Sequence, residues 1–118
     1  VLQSCVLFFS LLNGIDPKIT NAVIATESSG NPLALGSLGD SGLMQIRHVF
    51  VPESQRQLFN PCTNVMVGTR LLRQAKEKCF HQVDKTWLIC YNLGTRGAKK
   101  IRFPKKFAYY SKVMGKMK

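Results

Sequence analysis

The chain has 118 residues and a mass of 13.2 kDa, the size of one domain built around one core. With 45% apolar and 19% charged residues, its composition excludes a disordered or collagen-like chain. Seventeen Lys and Arg against six Asp and Glu leave a net charge of +11, which directs attention to an anionic partner: nucleic acid, anionic lipid or bacterial cell wall.

No apolar run approaches the ~18 residues that would cross a bilayer. Residues 1–12 (VLQSCVLFFSLL) resemble the end of a signal peptide in apolarity, but they lack a basic leader and a small-x-small cleavage site. They space as a helix, with Val1, Leu2, Cys5, Val6, Phe9 and Leu12 on one broad face, and are read as a core helix. The missing initiator Met suggests a longer precursor that was trimmed. Next, Asp16 followed by Pro17 is an N-cap with proline at the first helical position. That helix runs through Ile19, Ala22, Val23 and Ile24 and stops at Ser28-Ser29-Gly30, with Asn31-Pro32 beyond.

Residues 33–41 are small and carry Gly36 and Gly39, which predicts a loop, followed by the short apolar stretch Gly42-Leu43-Met44-Gln45-Ile46. Asn60 and Pro61 repeat the cap-and-proline signal and open the longest helix, with Cys62, Val65, Met66, Thr69, Leu72 and Cys79 on its inner face. Asp84 is expected to cap a short helix through Trp87, Leu88 and Tyr91 that Gly94 stops. Phe103, Phe107, Tyr110 and Met114 recur at intervals of four, three and four, so the last segment is expected to be an amphipathic helix. There is no internal repeat and no alternating run long enough for a strand. The expected fold is mainly α, a single domain over residues 1–118 with five to six helices.

Glu27 breaks the local pattern. On a helical wheel it lies about 40° from Val23 and about 60° from Ile24 at ~100° per residue, so it continues the apolar stripe. It also occupies the last turn, where the macrodipole disfavours negative charge. Both effects raise its pKa, and a carboxylic acid still protonated near neutral pH is what general acid catalysis of glycoside cleavage requires. The plain alternative is a solvated helix-end Glu. Cys5, Cys62, Cys79 and Cys90 are even in number but sparse for a disulfide scaffold, and buried free thiols are their plain reading. Only Cys79 and His81 lie close together, at a spacing that matches no common zinc site, so no metal is expected.

Three segments, Ala25-Thr26-Glu27-Ser28-Ser29-Gly30-Asn31-Pro32, Gly42-Leu43-Met44-Gln45-Ile46 and Cys90-Tyr91-Asn92-Leu93-Gly94, resemble the ordered motifs of the soluble lytic transglycosylase family. Those motifs are Glu-Ser with a following Asn-Pro, Gly-Leu-Met-Gln, and Ala-Tyr-Asn. The resemblance runs from about residue 5 to residue 114, and Leu58-Phe59-Asn60-Pro61-Cys62-Thr63-Asn64-Val65 with Gly68 is similar to the small members that accompany secretion and conjugation machines. Phage virion proteins carry the same domain. Cys90 stands where the family has alanine, and the loop holding Leu35-Gly36-Ser37-Leu38-Gly39-Asp40 also departs from the pattern, which puts the fine shape of the cleft in question.

The resemblance implies a goose-lysozyme-like α domain with a substrate cleft, cleaving the link between N-acetylmuramic acid and N-acetylglucosamine in peptidoglycan. Glu27 would protonate the glycosidic oxygen and then accept the proton of the muramoyl 6-hydroxyl, giving a 1,6-anhydro sugar without water. Tyr91 would hydrogen-bond Glu27. Ser28 and Gln45 would contact sugar, Met44 would form apolar wall or pack in the core, and Asn92 would bind substrate or simply cap its helix. The resemblance to the secretion-associated proteins further implies pairing of Cys5 with Cys62 and of Cys79 with Cys90, suited to work in the periplasm, the cell wall or a phage virion. It implies no cofactor and a monomer.

Asp40 is the other acid near the site in sequence, thirteen residues after Glu27. It reads as a turn residue. Pointed into the cleft, it would make hydrolysis by a carboxylate pair possible. Nine of the seventeen Lys and Arg lie between Arg96 and Lys118, with no acid after Asp84. The aromatic spacing assigns Phe103, Phe107 and Tyr110 to the buried face and leaves Tyr109 outside, so the segment reads as a basic face for anionic wall polymers and not as a nucleic-acid groove. A hydrolytic lysozyme or chitinase, and a non-catalytic binding module, stand as the alternatives.

Overall fold

The computed structural model describes residues 1–117, and Lys118 of the basic segment lies outside them. The chain folds as α1 (Leu2–Leu12), α2 (Pro17–Ser28), a two-stranded antiparallel ribbon of β1 (Asp40–Ser41) and β2 (Ile46–Arg47), α3 (Gln55–Leu58), α4 (Pro61–Lys78), α5 (Leu88–Lys99) and α6 (Ala108–Lys116). No helix among the described residues is long and apolar enough to cross a membrane. Local chemistry explains where the main helices begin. The Asp16 carboxylate accepts from the Lys18 N–H at 2.9 Å, Asn60 accepts from the Thr63 N–H at 3.1 Å, and proline fills the first helical position of α2 and of α4.

The long helix α4 is the spine. Helices α1, α3 and α5 pack on it, α1 also touches α2, and α6 closes the far side against α2 and α5. Its buried face is wider than the spacing of Cys62, Val65, Met66, Thr69 and Leu72 predicts. Asn64, Val67, Gly68 and Ala75 are buried too, while Cys62 and Met66 are half-buried and Cys79 becomes the C-cap. Ile19, Val23 and Ile24 from α2 and Leu88 and Ile89 from α5 join this core. Disulfides link Cys5 to Cys62, stapling α1 to α4, and Cys79 to Cys90, joining the end of α4 to α5. No cysteine is free, so the plain reading of buried thiols is corrected.

Three further expectations change. Leu12 is 66% exposed, because at ~100° per residue it lies about 120° from Val6, the residue that meets the core; Val1 is fully exposed. Ser10 takes the inward place and hydrogen-bonds Thr20 at 2.7 Å. Asp84 caps nothing. It sits at φ 51° inside a 3₁₀ turn, its carboxylate pairs with Lys105, and its carbonyl accepts from the Tyr110 hydroxyl at 2.6 Å. Phe103 precedes the 3₁₀ turn that Pro104 opens and is 59% exposed, so α6 starts only at Ala108. Gly94 does interrupt α5, at φ 79° and ψ 164°, but helical turns resume to Lys99. Helix α3 lies in a stretch with no predicted element, opened by a capping box between Ser54 and Gln57.

Candidate active site

The turn 42–45 between β1 and β2 is held by one buried side chain. Asn64 on α4 accepts from the Met44 N–H at 2.8 Å and donates to the carbonyls of Ser41 at 2.9 Å and Leu58 at 2.8 Å. Gly42, at φ +76°, is required beneath it, since a Cβ there would collide with the Asn64 amide. The Met44 side chain is completely buried and lies against Gly68, where a Cβ would strike its sulfur. Met44 is therefore core packing and not cleft wall. Its contribution to the site is its carbonyl, which accepts the Tyr91 hydroxyl at 2.8 Å.

This frame borders a cleft of about 620 Å³. Glu27 enters it from the last turn of α2, Asp40, Gln45 and Arg47 from the ribbon, Lys78 from α4, and Tyr91 and Asn92 from α5. Burial pushes the Glu27 pKa up from 4.5 to about 7; a hydrogen bond from the Tyr109 hydroxyl at 3.0 Å pulls it down, and the Asp40 charge adds a smaller upward push. The rise expected from the apolar stripe is thus present, with desolvation as its main cause. Both tyrosines remain donors, because burial and the neighbouring Glu27 hold their phenols well above the usual range.

The tyrosine assignments exchange. Tyr91 bonds the Met44 carbonyl and not Glu27, because α5 presents its hydroxyl to the 42–45 turn. Tyr109, placed outside by the aromatic spacing, is the residue that donates to Glu27. Helix α6 presses its Tyr109 side against α2, which the Phe103-Phe107-Tyr110 stripe conceals. The signal that would have found it is Val113, four residues on and completely buried.

Ser28 is not among the cleft-lining residues. Its hydroxyl donates to the Ile24 carbonyl at 3.1 Å and accepts from the Gly30 N–H at 3.2 Å, so it finishes α2. Gln45, held at φ 52°, spends its amide nitrogen on the carbonyls of Ala34 and Gly42, at 3.1 and 3.0 Å, and its carbonyl oxygen lies beside Gly36, where a Cβ would crowd it. Asn92 lines the cleft as an exposed side chain. Asp40 is not a bare turn residue: it lines the cleft and accepts from Arg47 Nε at 3.3 Å.

The site is therefore a half-buried carboxylic acid, tuned to titrate near neutrality and oriented by a neutral phenol, above an open groove that carries amide groups. Such an arrangement can deliver a proton to an ether oxygen and later take one back. Comparison with known proteins agrees in kind. The transglycosylase SLT domain family matches residues 5–111. A protein named transglycosylase from Enterobacteria phage PRD1 is 34% identical over 101 residues, covering 78% of this chain and 36% of its own length. Proteins named endo-type membrane-bound lytic murein transglycosylase A, from Cronobacter sakazakii and Citrobacter koseri, are each 35% identical over 71 residues, covering 50% of this chain and 35% of their own. The chain spans about a third of the length of these relatives.

Proposed function

The chain belongs to the transglycosylase SLT domain family, and from that membership we propose that it is a lytic transglycosylase cleaving the glycan of peptidoglycan between N-acetylmuramic acid and N-acetylglucosamine. The observation that carries the proposal is Glu27: an acid with a pKa of about 7, in the cleft, with a single phenol donor on Oε2. At neutral pH a large fraction of it is protonated, and the remainder is a carboxylate able to act as base.

The steps follow from one carboxyl group. Glu27 donates its proton to the glycosidic oxygen as the bond to the anomeric carbon breaks, and the glucosaminyl half leaves as an alcohol. The oxocarbenium-like centre left behind is held by the substrate's own N-acetyl group. Glu27, now a carboxylate stabilised by the Tyr109 hydroxyl, takes the proton from the muramoyl 6-hydroxyl as that oxygen bonds the anomeric carbon. The proton count returns to its start and no water is consumed. The intramolecular attack gains an effective molarity that can reach ~100,000 M or more. Gln45 and Asn92 would hold sugar hydroxyls and acetamido groups along the groove. Ser28 would act on sugar only through the backbone turn it shapes.

One observation favours a second reading. Asp40 shares the cleft with Glu27, and a carboxylate pair is the equipment of a hydrolase. One of its two oxygens, Oδ1, accepts from Arg47 Nε, and that pairing favours the one-acid route. Mass spectrometry of muropeptides released from purified walls separates the two. Chains ending in 1,6-anhydromuramic acid, with no reducing end and one water less, are expected. Predominantly reducing ends would establish hydrolysis and make Asp40 the first residue to mutate.

We place the enzyme outside the cytoplasm or in a phage virion, working as a monomer without a cofactor. Its basic segment from Arg96 onward would dock on anionic wall polymers. Neutralising Lys99, Lys100, Lys105 and Lys106 should then weaken binding to whole walls more than turnover of a short soluble glycan, and equal losses would remove the docking role.

A further inference from the structure

The ribbon that borders the cleft carries an ion pair whose geometry leaves a function open. Asp40 and Arg47 are cross-strand partners in β1 and β2, and Asp40 Oδ1 accepts from Arg47 Nε at 3.3 Å. The guanidinium carbon also stands 6.0 Å from the centroid of the Phe50 ring, just beyond the end of β2. A carboxylate and an aromatic ring therefore hold one long side chain at the edge of the groove, and Arg47 and Phe50 both line it. An arginine constrained in this way has already lost much of the rotamer freedom that ligand binding would otherwise cost.

Asp40 engages only Nε. Among the described residues the two terminal guanidinium nitrogens, the fork that matches a carboxylate with two parallel hydrogen bonds, have no protein acceptor. Lys78 brings a second positive charge to the lining from α4, and it too has no ion-pair partner among the described residues. The acids of the cleft do not consume these charges. Asp40 engages Arg47 only at Nε, and Glu27 forms no ion pair with either cation among the described residues. Sugar hydroxyls and acetamido oxygens accept single neutral hydrogen bonds from a guanidinium, but they offer no charged, two-oxygen match for its fork. The peptide that hangs from muramic acid does, since it carries free carboxylates next to the glycan strand.

We infer that Arg47, positioned by Asp40 and Phe50, binds a carboxylate of the stem peptide and makes the cleft selective for peptide-bearing glycan over bare glycan. The inference rests on the glycan-cleavage reading for the identity of its ligand, while the carboxylate site itself does not require turnover. It also gives Asp40 a role other than that of a second catalytic acid. Asp40 is a positioning residue for the arginine, which accounts for an acid in the groove of a one-acid enzyme.

The test measures binding and cleavage separately. Calorimetry compares a soluble muramoyl peptide with the same compound whose carboxyls are methyl esters. The wild type should bind the free acid about 10- to 100-fold more tightly, the range of a charge-assisted bidentate bond. Arg47→Gln should abolish that ratio, Arg47→Lys should restore only part of it, and Asp40→Ala should narrow it by freeing the arginine. These ratios are insensitive to a general loss of stability. Equal affinity for acid and ester in the wild type, or an unchanged ratio in Arg47→Gln, would overturn the inference. In parallel, walls with and without their stem peptides are digested. If neither is cleaved while the binding ratio stands, the glycan-cleavage reading fails and the carboxylate site survives. If both are cleaved at equal efficiency and the ratio is absent, the carboxylate site and its selectivity both fail while the glycan-cleavage reading stands.

Discussion

Helices α5 and α6 each bring a tyrosine towards Glu27, and the two do different work. Tyr91 lies inside a recognisable motif and braces the scaffold, its hydroxyl tying α5 to the carbonyl of Met44. Tyr109 lies outside any motif and touches the acid itself. The first bond ties α5 to a turn that Asn64 holds to α4, so it belongs to the frame around the acid. The second is the one side-chain hydrogen bond on Glu27 among the described residues, and it opposes the rise that burial imposes. A residue's place in a motif therefore does not say whether it acts on chemistry or on the backbone around it.

Four measurements break or sharpen this contrast, beginning with the largest effect. Glu27→Gln removes the group on which both tyrosines converge. Losing a general acid costs ~100 to 10,000-fold in rate, so wall clearance within a few-fold of wild type would refute the assignment. In the wild type, activity should fall as pH rises above about 7, where the acid form is lost.

The same variant tests burial through stability. The Glu27 pKa is raised in the folded state from 4.5 to about 7, so its contribution is fully present below pH 4.5 and is lost as pH rises through 7. Glu27→Gln should accordingly match wild type at pH 4 and be more stable at pH 8 by up to about 3 kcal/mol. Denaturant titrations at both pH values measure this, and equal differences at the two would mean that the carboxylate is not desolvated.

Tyr91→Phe should cost about 1–3 kcal/mol by leaving the Met44 carbonyl without its donor, while the pH at which activity falls stays in place. Tyr109→Phe has the smallest and most specific effect. Removing the bond that lowers the Glu27 pKa should move that fall in activity to higher pH, with a few-fold drop in rate and little change in stability. Should Tyr91→Phe move the pH profile and Tyr109→Phe leave it fixed, the two roles would be reversed.

Much of the frame is readable in one dimension because its signals are local. Asp16-Pro17 and Asn60-Pro61 mark the starts of α2 and α4, since a cap and a preset φ act within one turn. The capping box at Ser54 and Gln57 was equally local and marks α3 in the same way. Glu27 is conspicuous for the same reason, as a charge on the apolar stripe of its own helix. Asp84 is the counter-example: its sequence position suits a cap, yet its partners are Lys105 and Tyr110, more than twenty residues away.

The sequence alone marked the main helices and their order and made Glu27 conspicuous, because those signals depend on neighbours three or four positions along the chain, whereas the burial that raises the Glu27 pKa is set by packing. The roles of Met44, Tyr91, Tyr109 and Asp40 emerged only from the packing of helices on one another. Whether Met44 meets Gly68, or Tyr109 meets Glu27, is settled by contacts between residues 24 and 82 positions apart. Periodicity places a side chain on a face of its own helix. Which atom that face meets depends on crossing angles and turns that the whole core sets together, so the line between scaffold and chemistry at this site is drawn in three dimensions.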